Sequence, residues 1–137
     1  MYKAILLAAD GSDNSFRAAE ETLNFITEET EVTILNVINA EDSKDDVLHS
    51  GPAGSIMDKR KEKLSKIIDL YETNHIPYQV HFEHGTPNET VVNFANNGLY
   101  QAVVLGTRGL NGLQEMVLGS VSHKVAKRAE IPVMIVK

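Results

Sequence analysis

The chain of 137 residues contains no cysteine, no tryptophan and only four prolines. Without cysteine there is no disulfide framework, thiolate zinc site, iron–sulfur cluster or cysteine nucleophile. Long hydrophobic runs are missing too: nothing approaches the roughly 18 apolar residues of a membrane span. Met1-Tyr2-Lys3 leads straight into a short apolar segment with no small-residue cleavage site, so the cytoplasm is the expected compartment. Basic residues are the minority, with 13 Lys+Arg against 19 Asp+Glu and a formal net charge of −6. That balance argues against a general nucleic-acid or membrane-surface binder, which needs a basic face to meet phosphate. Several enzyme signatures are absent as well. No Gly-Lys-Ser/Thr run closes a P-loop, and there is no G-x-G-x-x-G, G-x-S-x-G or H-E-x-x-H.

What is present is an apolar fraction of 42%, arranged in short blocks. A chain of this length buries roughly 68–70% of its unfolded surface, enough for one domain without staples. Lys3 to Ala9 (KAILLAA) reads as a strand buried on both faces, stopped by Asp10-Gly11-Ser12. Phe16, Ala19, Leu23 and Ile26 then recur at helical spacing, which predicts an amphipathic helix from Ser12 to about Thr27, capped by Ser12 or Asp13. Glu31 to Ile38 is a second strand, rich in β-branched residues. Asn39 to Gly54 breaks all periodicity and reads as a loop carrying Glu41, Asp42, Asp45 and Asp46.

Met57, Leu64, Ile67, Ile68 and Tyr71 form a stripe that predicts the longest helix over Ser55 to Thr73. Tyr78 to Glu83 alternates as a third strand. Thr86-Pro87-Asn88-Glu89 combines a Thr cap, proline at the first helical position and Glu three residues on, opening a helix that runs to Gly98. Gln101 to Leu105 is a fourth buried strand, Ser120 to Ala129 the last helix and Val133 to Val136 the last strand. Strands alternating with helices predict an α/β fold: a parallel five-stranded sheet with helices on both faces. Ligands in such sheets bind beyond the carboxyl ends of the strands, where strand order reverses. The residues to interrogate therefore follow strands one, two and four.

After strand four comes Gly106-Thr107-Arg108-Gly109, then nine residues, then Gly119-Ser120 at a helix start. Glycines admit an anion close to the backbone, and a helix N-terminus offers unpaired N–H groups with partial positive charge. The same residues are equally compatible with a strand exit and an ordinary cap. Gly112 offers a second G-x-x-G frame from Gly109, but with only six residues before Gly119 it fits less well. The five histidines, His49, His75, His81, His84 and His123, are scattered, and His81 and His84 cannot share a strand face. They read as structural or solvated.

The G-x-x-G-x(9)-G-S pattern resembles the nucleotide motif of the universal stress protein family, in its ATP-binding branch. The resemblance runs over nearly the whole chain: Asp10-Gly11-Ser12, Asn36-Val37-Ile38, Gly85-Thr86-Pro87, GTRGLNGL, LGSVSHKV and Ile131-Pro132-Val133. It implies a doubly wound, Rossmann-like sheet of order 3-2-1-4-5, with Asp10 across a crevice from the glycine loop. It further implies ATP, with Mg²⁺, as the ligand. Gly106, Gly109, Gly119, Ser120, Val121 and Ser122 would surround phosphates and ribose, with Gly109 and Gly119 touching phosphate because glycine gives close approach and freedom at positive φ. Ala8, Ala9 and Asp10 would line the adenosine side, and the main chain of Val37 would read the adenine edge.

Each residue has a plainer reading. Asp10 could make a turn or cap a helix, Val37 is a core position either way, and Arg108 could reach a phosphate or stand as a solvated loop charge. Gln101 and His123 depart from positions that are often acidic in the family, which implies altered surface pairing and not lost binding. The leading function is a nucleotide-dependent regulatory or stress-response protein. A slow ATPase or self-phosphorylating protein, with Ser120 or Ser122 as acceptor, is the enzymatic alternative, and a nucleotide-free interaction module the third. The family order puts strand five at the sheet edge, and an apolar edge without internal charge favours a homodimer through Val133 to Val136.

Overall fold

The computed structural model describes residues 2–39, 59–107 and 119–137. Five strands form one parallel sheet: β1 (Ala4–Ala8), β2 (Glu31–Ile38), β3 (Tyr78–His84), β4 (Ala102–Gly106) and β5 (Val133–Val136). Among the described residues, helices α1 (Asp13–Thr22), α2 (Ser65–Thr73), α3 (Pro87–Ala95) and α4 (Ser120–Arg128) alternate with them. The sheet order is β3-β2-β1-β4-β5, as expected. β1 is central because it has no polar face, with Leu7 in register with Ile34 on one side and Val104 on the other.

The two-residue alternation of the strands divides the core in two. Ile5, Leu7, Val32 and Ile34 pack with Ala18 and Ala19 of α1 and Ile67 and Tyr71 of α2. Leu6, Leu35, Val103 and Leu105 pack on the other face with Val91 and Ala95 of α3 and Val125 of α4. Helices cover both faces of the sheet, and the direction in which strands are added reverses between β1 and β4, the switch point at the carboxyl end.

Three element boundaries differ from the sequence reading. α1 ends at Thr22 and not near Thr27, because the amides of Leu23, Asn24 and Phe25 bond to carbonyls three residues back, tightening the last turn. Phe25 and Ile26 still pack on the core from the turn that follows. The long helix is interrupted at Leu64, with residues 59–63 helical ahead of α2 and residues 55–58 outside the described set. α3 stops at Ala95, three residues before Gly98, whose φ of 88° marks the turn into β4. Thr86 occupies the cap of α3, yet its side chain makes no capping hydrogen bond. Proline at the first position removes one amide and sets φ, which starts this helix without the reciprocal box. The loop from Asn39 to Gly54 lies outside the described residues but for Asn39 itself.

Gln101 plays a part that its surface location did not suggest. Its Oε1 accepts from the amides of Lys3 and Ala4 at 2.9 and 2.7 Å, tying the start of β1 to β4. An acidic side chain would accept the same two bonds, so Gln101 preserves the tie and loses only its charge.

Tyr71 sits fully buried with its hydroxyl 2.8 Å from Thr22 Oγ1. Burial pushes its phenol up from 10.0 to about 12. The folded state therefore holds the Tyr71 proton through a pH range in which the unfolded chain releases it. The stabilisation, ~3 kcal/mol for two pH units, is complete below pH 10 and is lost as pH rises toward 12. Urea midpoints measured from pH 9 to 12 should fall steeply for the wild type, and the fall should be shallower for Tyr71→Phe.

Candidate functional site

Three strand exits converge at the carboxyl end of the sheet. β1 runs out through Ala9 and Asp10 into Gly11, whose φ of 86° is reachable cheaply only by glycine. Asp10 Oδ1 accepts from the Ser12 amide at 2.9 Å, and Ser12 Oγ accepts from the Ser15 amide at 3.2 Å. Asp10 thus folds the turn while Ser12 caps α1, as the sequence leaves open. A side chain on Gly11 would place its Cβ 2.9 Å from Lys63 Cβ, so residues 59–63 press directly against this turn.

The exit from β4 is tied to the start of α4. The Gly119 amide donates to Thr107 O at 2.7 Å, and Ser122 Oγ lies 3.0 Å from Thr107 O and 3.1 Å from Gly119 O. The first-turn amides of Ser120, Val121 and Ser122 have no intrahelical acceptor, and the cap residue Gly119 brings no side chain to cover them.

Between these exits lies a cavity of about 460 Å³, reached by Ala8, Ala9, Asp10, Val37, Gly106, Gly119, Ser120, Val121 and Ser122. Every described member of the candidate set is therefore in one place. Arg108 and Gly109 lie outside the described residues, as does Gly112. Ser12 and Ser15 of the α1 start, Pro87 and Val91 of α3, and Ser120 of α4 all border the cavity, so three helix N-termini aim their partial positive charge into it. Asp10 is the single charged side chain among the described lining residues. Among the described residues no cluster of three His, Asp or Glu could hold a metal by itself.

Three of the candidate residues sit there for reasons other than those expected. Gly106 is required by packing: a Cβ would fall 2.8 Å from Asn14 O and 2.9 Å from Asn14 C, so the glycine lets α1 lie against β4. Gly119 has φ −68° and ψ 164°, a conformation open to any residue, so only close approach, and not positive φ, can make glycine useful there. Ser122 is 1% exposed and its hydroxyl is occupied by the Thr107 and Gly119 carbonyls, which makes it a tie between β4 and α4. Val121 packs against the second core cluster while presenting part of its surface to the cavity.

Val37 is half-buried, and its main chain is set by parity. The amides of Glu31 and Ala9 bond Lys3 O and Leu35 O, so the odd residues of β2 turn toward β1, whereas Val32 N and Ile38 O bond toward β3. The Val37 amide and carbonyl therefore turn toward β1 just past its last residue, into the cavity.

The sequence did not point to Ser12, Ser15, Leu35, Asn39, Pro87, Val91, Leu105 and Thr107 as lining residues. The signals existed: Leu35 shares a strand face with Val37, Pro87 and Val91 are four apart on one helix face, and Thr107 lies inside the glycine run. None of the described histidines lines the cavity. His81 Nε2 instead meets Glu83 Oε2 at 2.7 Å on the outer strand β3, with the Phe94 ring 5.1 Å away.

Comparison with known proteins agrees with this architecture over the full length. The sequence profile of the universal stress protein family matches residues 1–137. The chain belongs to the universal stress protein family. It is 30% identical to universal stress protein YxiE of Bacillus subtilis over 149 residues, covering 100% of both proteins. Among solved structures, the Methanocaldococcus jannaschii universal stress protein MJ0577 superposes with a TM-score of 0.82 at 27% identity, covering 100% of this chain and 96% of that one. Two more distant structures share the fold. A universal stress protein in complex with cAMP gives a TM-score of 0.74 at 22% identity, covering 99% of this chain and 97% of the other. An Arabidopsis thaliana family protein with AMP bound gives 0.69 at 21% identity, covering 98% and 91%. The five-stranded parallel sheet of order 3-2-1-4-5 and its flanking helices match those universal stress proteins.

Proposed function

We propose that this protein binds ATP in the crevice between β1 and β4 and acts as a nucleotide-dependent regulatory protein of the stress response. The observation that carries the reading is the first turn of α4: three amides with no acceptor among the described residues, behind Gly119, which has no side chain to cap them, beside a cavity of about 460 Å³ that also receives the main chain of Val37. Phosphates meet the α4 amides and Ser120, where the helix dipole favours negative charge. Adenine lies toward β2, its ring-nitrogen acceptor taking the Val37 amide and its exocyclic amine donating to the Val37 carbonyl. That family members have been solved with cAMP and with AMP supports an adenine nucleotide in general.

Mg²⁺ fits this site as a companion of the phosphates. Magnesium is commonly held by one or two carboxylates together with substrate phosphates, and Asp10, with one oxygen committed to the Ser12 amide, has its second oxygen for that purpose. When bound, the ion would neutralise phosphate charge beside Asp10, the one acid among the described lining residues. Mass spectrometry of nucleotide released from freshly purified, acid-denatured protein tests the reading. Adenine nucleotide in the supernatant is the expected result. Its absence, together with no binding of added Mg·ATP by equilibrium titration, would reject it.

A slow self-phosphorylation reading has one observation in its favour. Ser120 is exposed at the mouth of the cavity, whereas the Ser122 hydroxyl is already committed. Asp10, the one carboxylate among the described lining residues, is engaged by the Ser12 amide and by the proposed Mg²⁺, so turnover is expected to stay below about 1 s⁻¹. β5 supports a homodimer: it lies at the sheet edge with Met134 38% exposed. A strand paired with its own symmetry mate covers that edge in both copies. Light scattering at micromolar concentration should report the mass of two chains, and the mass of one would reject the dimer.

A further inference from the structure

Asn36, the first residue of the Asn36-Val37-Ile38 stretch, and Arg60, just ahead of α2, meet beneath β2. Both are buried, at 5% and 6% exposure, behind the β1 exit. Asn36 Nδ2 donates to Ala9 O at 2.9 Å, and Asn36 Oδ1 accepts from Arg60 Nη1 at 3.2 Å. A guanidinium has donors and no acceptor, so Arg60 can face only the oxygen of the Asn36 amide. That fixes the flip, and the NH₂ group must turn to Ala9.

The consequence concerns the last rung of the β1–β2 ladder. The Ala9 amide bonds Leu35 O at 3.0 Å, and regular parallel pairing would next send the Val37 amide to Ala9 O. Among the described residues no such bond is made, because the Asn36 side chain holds that carbonyl. The ladder ends one bond early, and the Val37 amide is left facing the cavity with no acceptor among the described residues.

We propose that Asn36, oriented by Arg60, is a positioning residue for base recognition: by capturing the Ala9 carbonyl it keeps the Val37 amide free to donate to the adenine ring. The inference rests on the adenine-nucleotide reading of the crevice, and it adds a reason why this edge of the site is selective. A base whose corresponding ring nitrogen carries a proton, as hypoxanthine does, opposes donor to donor and is rejected. The device works from the α1/α2 face of the sheet, whereas phosphate binding is built on α4, so base choice and phosphate affinity are separable in this fold.

Asn36→Asp is the informative variant. The carboxylate is nearly isosteric and keeps the Arg60 contact, now as an ion pair, but it has no proton for Ala9 O. The released carbonyl then takes the Val37 amide. Two readouts follow, one of them without nucleotide. In the ligand-free wild type, NMR hydrogen exchange at the Val37 amide should be fast for its strand, and in Asn36→Asp it should slow by about tenfold or more as the ladder closes. In titrations, the wild type should prefer ATP to inosine triphosphate by about tenfold, and Asn36→Asp should bind both alike with an ATP loss of roughly three- to tenfold. A merely structural role would lower the melting temperature and leave the ATP-to-inosine-triphosphate ratio alone. Unchanged Val37 exchange, or an unchanged ratio in a wild type that does bind ATP, would overturn the inference. A wild type that binds neither nucleotide while Val37 exchange still responds to Asn36→Asp would overturn the nucleotide reading and leave the ladder device standing.

Discussion

Gly119→Val is expected to abolish tight nucleotide binding while leaving a folded protein. The backbone at this cap is extended, with φ −68° and ψ 164°, so valine adopts it without strain. The residue is not fully buried, and the loss of a favourable cap costs the helix about 1 kcal/mol. What changes is the approach to the amides of Ser120, Val121 and Ser122: three added carbons stand where a phosphate oxygen would come within hydrogen-bond distance. Losing two charge-assisted hydrogen bonds weakens affinity by about 100-fold or more. Calorimetric titration with Mg·ATP checks it, with circular dichroism as the folding control. A folded variant that binds as tightly as the wild type would mean that phosphate does not sit at the α4 start.

Gly106→Val should do the opposite. The new Cβ would lie 2.8 Å from Asn14 O and 2.9 Å from both Asn14 C and Cβ, and two of those three atoms are main chain of α1 that cannot rotate away. Relief requires α1 to lift from β4, disturbing the packing of Ala18 and Ala19 against the central strands. Overpacking of this kind costs about 3 kcal/mol or more, and for a chain of this size that lowers the melting temperature by about 10 °C or more. Scanning calorimetry reads it directly. Two glycines that the motif presents as equivalent are thereby separated, Gly106 answering to stability and Gly119 to ligand. A Gly106→Val protein as stable as the wild type would contradict the packing assignment.

The sheet was legible because β1 and β4 are continuous apolar runs and β3 alternates, patterns that burial on two faces or one produces directly. The crevice was legible for a related reason. Parallel α/β topology delivers every strand exit and every following helix start to one end, which points to the exits of β1, β2 and β4, whereas the role of Val37 came only from the family resemblance. Boundaries that depend on local competition were not legible. Thr22 to Ile26 has the spacing of a helix but closes in a tight turn, and Thr86 heads a capping-box sequence whose box does not form. The roles of Gly106 and Ser122 were also hidden, since a glycine that admits a neighbouring helix and a glycine that admits a phosphate look alike in one sequence. Arg60 was the hardest to find: it lies 24 residues from Asn36, and only the fold brings its guanidinium under β2.

The central claim, that an adenine nucleotide lies between Val37 and the start of α4, is tested most directly by an NMR titration of the isotopically labelled protein with Mg·ATP. The account predicts saturable amide shifts at Val37, Asp10, Ser120 and Val121, with one set of affinities and little change along β3. Shifts confined to other surfaces, or none up to millimolar nucleotide, would contradict it.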